Sequence, residues 1–269
     1  MKDKLNIIDR TFSHSKLGYC SDYQVSDLFS WDRTINDGDV VYTDMTLSSV
    51  KHNPKGKNYA WLIEPIDIAP QNYTMINHLH PQFDKVFTHE KTLLDMGYPY
   101  TFVPFGCCWI KKNDQKIYDK SKNLSIIASS KTQTGGHKLR HNVINTFRGK
   151  MDVYGRGWNE IPYKVDGLKN YRFSIVIENC KRDYWFTEKL IDSLVTGTVP
   201  VYWGCPSIGD FFDIRGFITF NTLDELCEIL DTLSEKKYNE MLPYIRRNIV
   251  KAKEFLLPDD WVYNEIKKK

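Results

Sequence analysis

The sequence predicts an α/β protein made of two Rossmann-like lobes on parallel sheets, and three observations carry that reading. Short apolar runs alternate with helical patterns from end to end, as they do in successive βαβ units. A polar, Lys-rich stretch at 111–123, KKNDQKIYDKSKN, interrupts the alternation and reads as a connection between two halves. The chain has 269 residues, 41% of them hydrophobic and 26% charged. That is enough for one large domain or two of about 130 residues each.

In the first half the runs KLNIID, DVVYTD, NYAWLIEP, KVFTH and YTFVPFG read as strands, with helices at 72–79 and 90–96 between them. The second half restarts with the strand LSIIAS, followed by a helix from about His137 to Phe147 and the strand MDVYG. Next come the buried-looking strand YRFSIVIEN, a helix over 187–195 and the strand VPVYWG, in which Pro200 fits a strand beginning. GFITF leads into the amphipathic helix LDELCEILDTL. The segment 238–255 completes the C-terminal helices, with Pro243 expected near a first turn. The expected division is an N-terminal acceptor-side domain at 1–110, a linker at 111–123 and a second domain at 124–269. The last helix is free to pack back on the first domain. Two such lobes facing a cleft would place a ligand at the C-terminal ends of the strands.

Composition excludes several classes. It is ordinary for a globular protein, and not that of a disordered tail, a collagen-like fibre or a disulfide-stapled scaffold. A net charge of +3 does not argue for a nucleic-acid partner. Aromatic residues reach 14%, with 16 Tyr and 7 Trp, which suits sugar-stacking platforms or a Tyr-rich core. The six cysteines form no CxxC pair and no zinc spacing, so reduced, buried thiols of a cytosolic protein are expected. The N-terminal residues carry no signal-peptide core, and no apolar run approaches the ~20 residues that span a bilayer. Lys267, Lys268 and Lys269 leave room for peripheral contact with an acidic membrane, although a frayed, solvated end explains them as well.

The chemistry concentrates in 171–208, YRFSIVIENCKRDYWFTEKLIDSLVTGTVPVYWGCPSI. An apolar strand delivers Glu178 and Asn179 at its C-terminal edge, and a polar loop leads to a helix opening at Thr187-Glu188-Lys189. Thr187 is a candidate N-cap. The helix start offers unpaired N–H groups and a positive dipole end beside the Lys189 charge, a setting for a phosphate or diphosphate. Glu188 can accept hydrogen bonds from ribose or sugar hydroxyls. An isolated Thr-Glu-Lys would more simply be a solvated first turn, but here Pro200 to Pro206, PVYWGCP, brings a Gly turn against the same region.

These residues resemble the C-terminal signature of the α-1,3-fucosyltransferases, glycosyltransferase family 10. The matching features are Tyr171-Arg172-Phe173, Glu178-Asn179, Asp183-Tyr184, Thr187-Glu188-Lys189 and Pro200 to Pro206. Upstream, MDVYGRG with Asp152, Tyr154, Gly155 and Arg156 is similar to the family's VDVYG-type strand. The likeness runs from Leu124 to Phe220. It implies a GT-B fold, two Rossmann-like domains facing a cleft, whose C-terminal domain binds GDP-L-fucose without a metal ion or other cofactor. It also implies that Lys189 and an Arg of the first helix of that domain hold the diphosphate. Arg140 in GGHKLRHNVI fits the second role, with Lys138 its competitor. Glu188 would contact ribose, and Asn179, Trp185, Glu178, Tyr154 and Gly155 would contribute to the nucleotide and sugar pocket. The family pattern has Ser where Cys180 stands and another residue type at Trp185.

An inverting transferase needs a carboxylate to take the proton of the acceptor hydroxyl. Glu64, at the end of NYAWLIEP, is the candidate in the first half and resembles the glutamate of the family's Glu-x-Pro segment. Asp67 is the alternative, and a strand-end Glu capping a turn is the plain explanation. Partial burial would raise such a carboxyl towards a useful pKa. Asp37-Gly38-Asp39 mimics a metal-binding Asp-x-Asp but reads as a turn. His78, His80 and His89 lack companion acids at ligand spacing. Gly155-Arg156-Gly157 reads as a strand exit. There is no GxGxxG and no P-loop.

The expected activity is therefore inverting transfer of L-fucose from GDP-L-fucose to a hydroxyl of a glycan, whether oligosaccharide, glycolipid or glycoprotein. The site is expected in a bacterial cytosol or that of a virus-infected host. Two alternatives stay open: a GT-B transferase with another donor, such as a xylose or hexose nucleotide, and a catalytically silent nucleotide- or glycan-binding module.

Overall fold

The structure is a computed structural model that describes residues 2–10, 12, 15–35 and 37–268. The chain forms two compact units. The first runs to Cys107 and includes 183–185 and the segment from Leu257 on; the second comprises 108–182 and 186–256.

In the first unit, β1 (Asp3–Ile8), β2 (Phe29–Trp31), β3 (Val40–Thr43), β4 (Asn58–Trp61), β5 (Lys85–Thr88) and β6 (Tyr100–Phe102) build one sheet in the order β2-β1-β3-β4-β5-β6. All its pairings are parallel. Helix α1 (Pro70–Leu79) lays Tyr73 and Ile76 onto a core with Leu47, Ala60 and Val86. Each fully buried aliphatic side chain of this kind contributes roughly 1.5–3 kcal/mol. The short strand β2 was not expected from sequence, because FSW is too brief for a period to show. It forms because Phe29 is fully buried, edge-on to Trp31 and Tyr19. The helix expected over 90–96 shrinks to a single turn, α2 (Lys91–Leu94), ended by Gly97 at a φ of +75°.

The second unit has β7 (Lys122–Ile127), β8 (Asp152–Tyr154), β9 (Tyr171–Ile177), β10 (Val199–Trp203) and β11 (Ile218–Thr219) in the order β11-β10-β9-β7-β8. These too are parallel throughout. Its helices are α3 (Gly135–Thr146), α4 (Glu188–Val195), α5 (Leu223–Thr232) and α6 (Glu235–Ala252). All but one of the β9 side chains are buried, as a central parallel strand covered on both faces requires. Against it lies α4, with Leu190, Ile191, Leu194 and Val195 fully buried. Strand order reverses direction between β1 and β3 in one unit and between β7 and β9 in the other. Sheets of this kind bind ligands at the carboxyl ends of the strands flanking that reversal.

Three sequence expectations change. Pro243 lies well inside α6 and not near its first turn; burial of Tyr238, Met241 and Ile245 on either side holds the helix through it. Residues 111–123 are not a loose connection. The Lys120 ammonium donates to the carbonyls of Leu168, Lys169 and Thr196 and to Thr198 Oγ1, at 2.8–3.3 Å. Among the cysteines, Cys227 is exposed, whereas the other five are buried, and all six are free thiols.

The last helix, α7 (Pro258–Lys267), belongs to the first unit. Trp31 donates to Asp259 at 2.7 Å and Tyr263 stacks on Phe29 at 4.9 Å. Lys267 pairs with Asp3 at 2.8 Å and Lys268 with Glu265, while Lys269 lies outside the described residues. No helix among the described residues is long and apolar enough to cross a membrane.

Candidate active site

The second unit's signature residues gather around one buried carboxylate at the β7/β9 reversal. Glu178, directly after β9, is 0% exposed. Thr187 donates to it twice, from its N–H at 2.9 Å and from its hydroxyl at 2.7 Å. The same hydroxyl accepts from the Lys189 N–H at 3.3 Å and from the Lys189 ammonium at 3.1 Å, so Thr187 is the N-cap of α4. Gly204, beyond β10, has no room for a side chain, since a Cβ there would lie 2.4 Å from the Tyr202 hydroxyl and 2.6 Å from Glu178 Cγ. The Glu-Asn, Thr-Glu-Lys and Trp-Gly segments are thus parts of one assembly.

From the other side, α3 docks its N-terminus onto the end of β9. Gly136 N–H donates to the Asn179 carbonyl at 2.9 Å, and a Cβ on Gly136 would come within 1.7 Å of the Glu178 carbonyl. One turn later, Arg140 is 5% exposed; its guanidinium reaches Asn179 Oδ1 at 2.5 Å and the Gly136 carbonyl at 3.2 Å. Lys138, its competitor in sequence, is exposed on the same helix.

The Lys189 ammonium sits 3.1 Å from Glu188 and 3.8 Å from Glu178, with its side chain 23% exposed. Lys164 adds a second cation, 3.3 Å from Glu188 and 3.2 Å from the buried Asp192. Burial opposes charge on Glu188, but Lys189 and Lys164 outweigh it and hold the carboxyl far below the usual carboxylate range. Glu188 is therefore acceptor-only at neutral pH. Burial pushes Glu178 up, with Lys189 partly offsetting it. Burial also lifts Asp192 to about 6 against the pull of Lys164.

Several expected site residues sit elsewhere than the sequence implied. Glu178 is enclosed and spends its oxygens on Thr187, so it shapes the site without lining an open pocket. The first N–H groups of α4 are not free for an anion: Glu178 takes that of Thr187, and the Thr187 hydroxyl takes that of Lys189. The helix thus carries its own anion, and any phosphate grip falls to side chains. Trp185 is 1% exposed and belongs to the first unit, with its ring 6.2 Å from His89 and its indole N–H without a hydrogen-bond partner among the described residues. Tyr154 bonds the Tyr171 hydroxyl at 2.6 Å, in a cluster with Asp152 and Lys122. Gly155, at φ +112°, lies against the Ala128 carbonyl, where a Cβ would approach to 2.0 Å.

In the first unit, β4 ends three residues before Glu64, which is half-buried in the bend that follows, with Asp67 exposed beyond it. Tyr73 donates to the Glu64 carbonyl at 3.1 Å. Asp44, absent from the sequence expectations, is 4% exposed at the end of β3 and accepts from the Ile63 N–H at 3.0 Å. Its one sequence signal is an acid closing the apolar run VVYT. Asp37 pairs with Lys55 at 3.8 Å and Asp39 accepts from the Lys57 N–H, so Asp-Gly-Asp is a turn. Among the described residues no group of three or more His, Cys, Asp or Glu is placed to hold a metal ion.

Two parallel units with this strand order define the fold of the GT-B glycosyltransferases. An α1,3-fucosyltransferase structure with GDP-fucose superposes with a TM-score of 0.56 at 16% identity, over 95% of this chain and 90% of that one. The S. aureus glycosyltransferase TarM gives 0.54 at 12% identity, over 85% of this chain and 55% of that one. Residues 117–255 match the model of glycosyltransferase family 10 (fucosyltransferase), C-terminal region, and the chain belongs to that family. The Helicobacter pylori α-(1,3)-fucosyltransferase FucT is 33% identical over 183 residues, a match covering 60% of this chain and only 38% of the relative.

Proposed function

We propose that this protein transfers L-fucose from GDP-L-fucose to a glycan hydroxyl with inversion at the anomeric carbon. The observation that carries the donor half is the convergence of Arg140, Asn179, Thr187, Glu188 and Lys189 on the β7/β9 reversal of a chain in the fucosyltransferase family. Arg140 and Lys189 hold the diphosphate, and Glu188, kept ionised by its lysines, accepts the ribose hydroxyls. Glu64 takes the proton of the acceptor hydroxyl while that oxygen bonds to the anomeric carbon. The bond from that carbon to phosphate breaks, and its electron pair leaves on GDP. Arg140 and Lys189 meet the negative charge that grows there, so no metal is required.

The test is GDP release and glycan modification with a panel of nucleotide sugars and oligosaccharide acceptors, with and without chelator. GDP-fucose should be the donor consumed, and chelator should leave the rate unchanged. Lys189→Ala should lower transfer by about a hundredfold or more while the circular dichroism stays that of the wild type. Wild-type turnover in that variant removes the diphosphate assignment. Consumption of a different donor, or GDP binding with no turnover of any donor, overturns the activity.

A further inference from the structure

Asp44 is an expensive residue that the reading above leaves without a task. It is one of the described non-glycine residues with positive φ, at +36°, a conformation costing of order 1 kcal/mol or more. Its carboxyl is 4% exposed, and the charged group that chiefly acts on it is another acid, Glu64, rather than a cation. Burying an acid beside a like charge does not stabilise a fold. Its position is equally specific. It follows β3 at the β1/β3 reversal, where Thr46 Oγ1 lies 2.5 Å from the Ile8 carbonyl and ties the two strand ends together.

What Asp44 does with its oxygens is hold the bend after β4. It accepts from the backbone N–H groups of Ile63 and Glu64 and from the Asn72 amide at the start of α1. The next residue of α1, Tyr73, holds the Glu64 carbonyl from the other side. The peptide that carries Glu64 is therefore gripped at its N–H and at its C=O. We propose that Asp44 is a positioning residue for Glu64: it fixes the backbone from which that carboxylate projects, and its own negative charge strengthens Glu64 as a base. The inference rests on Glu64 being the proton acceptor. Burial first, and the Glu64 charge second among the effects that raise it, lift Asp44 to about 7. The titratable group facing Asp44 is Glu64; Asn72 and the two N–H groups are its neutral partners.

The experiment measures kcat and KM for GDP-fucose across pH in Asp44→Asn, Asp44→Gly and Glu64→Gln, with GDP affinity as a check of folding. Asp44→Asn keeps the shape and removes the charge, so the acid limb of kcat/KM should move about one pH unit lower. Its kcat should fall about tenfold with KM within about twofold. Glycine adopts the positive φ without strain and loses the grip as well, so Asp44→Gly should lose about a hundredfold in kcat. If Glu64→Gln is inactive while both Asp44 variants keep the wild-type kcat and acid limb, this inference fails and the base assignment stands. If Glu64→Gln transfers normally, the base assignment fails and takes this inference with it. If neither Asp44 variant yields protein that binds GDP, the carboxylate serves folding alone and the inference is overturned.

Discussion

Thr187 shows how much one side chain does here. Its hydroxyl donates to a fully buried carboxylate and accepts from both nitrogens of Lys189, so it caps α4 and orients the candidate phosphate ligand together. Removing it deletes a helix cap, worth about 1 kcal/mol, and leaves a Glu178 oxygen without its hydroxyl donor, worth about another. Thr187→Ala should therefore cost roughly 2 kcal/mol, a drop of about 4–8 °C in Tm by thermal melting. Thr187→Ser keeps the hydroxyl and should lose far less. Equal losses in the two variants would mean that the hydroxyl is not what holds this corner. The Thr-Glu-Lys motif was legible in sequence, but the partner that occupies the helix start was not. Glu178 lies nine residues earlier, and only the fold brings the two together.

At the scale of the element, α3 carries a charge effect that ties acid stability to ligand binding. His137, in its first turn, accepts the Thr134 N–H through Nδ1 at 3.3 Å. Burial, then Arg140, Lys189 and Lys131, lowers its pKa from 6.5 to about 4. The unfolded chain thus binds more protons than the native one between those values. This contribution to stability is present above pH 6.5 and is lost as pH falls towards 4. A diphosphate would offset Arg140 and Lys189 and raise His137, so GDP binding in that window should draw in a proton through it. Calorimetry in buffers of different ionisation heat should show less proton uptake for His137→Gln than for the wild type. Identical uptake would separate His137 from the ligand. Element types were legible wherever an apolar run exceeded about four residues. The strand β2 was not, since its three residues are held by tertiary burial of Phe29 and not by a pattern.

The whole chain repeats one plan. Each unit is a parallel sheet whose order reverses beside its first strand, and each sets a buried acid at that reversal, Asp44 in one and Glu178 in the other. Both acids spend their oxygens on backbone N–H groups next to the residue the mechanism uses, Glu64 or Lys189. Sequence reading found the users and not the first of these holders, because a holder is defined by neighbours distant along the chain. Asp44 lies nineteen positions before Ile63. The two-unit reading followed from alternating runs, whereas the anchoring of 111–123 depended on carbonyls of later segments that no local pattern announces.

The account stands on Arg140 and Lys189 gripping a diphosphate. Titration of GDP into the wild type, Arg140→Ala and Lys189→Ala by calorimetry tests this without any acceptor. Each variant should bind at least about tenfold more weakly, as expected for loss of a charge-assisted contact, while guanosine, which has no phosphate, should bind all three alike. GDP affinity unchanged in both variants would contradict the account.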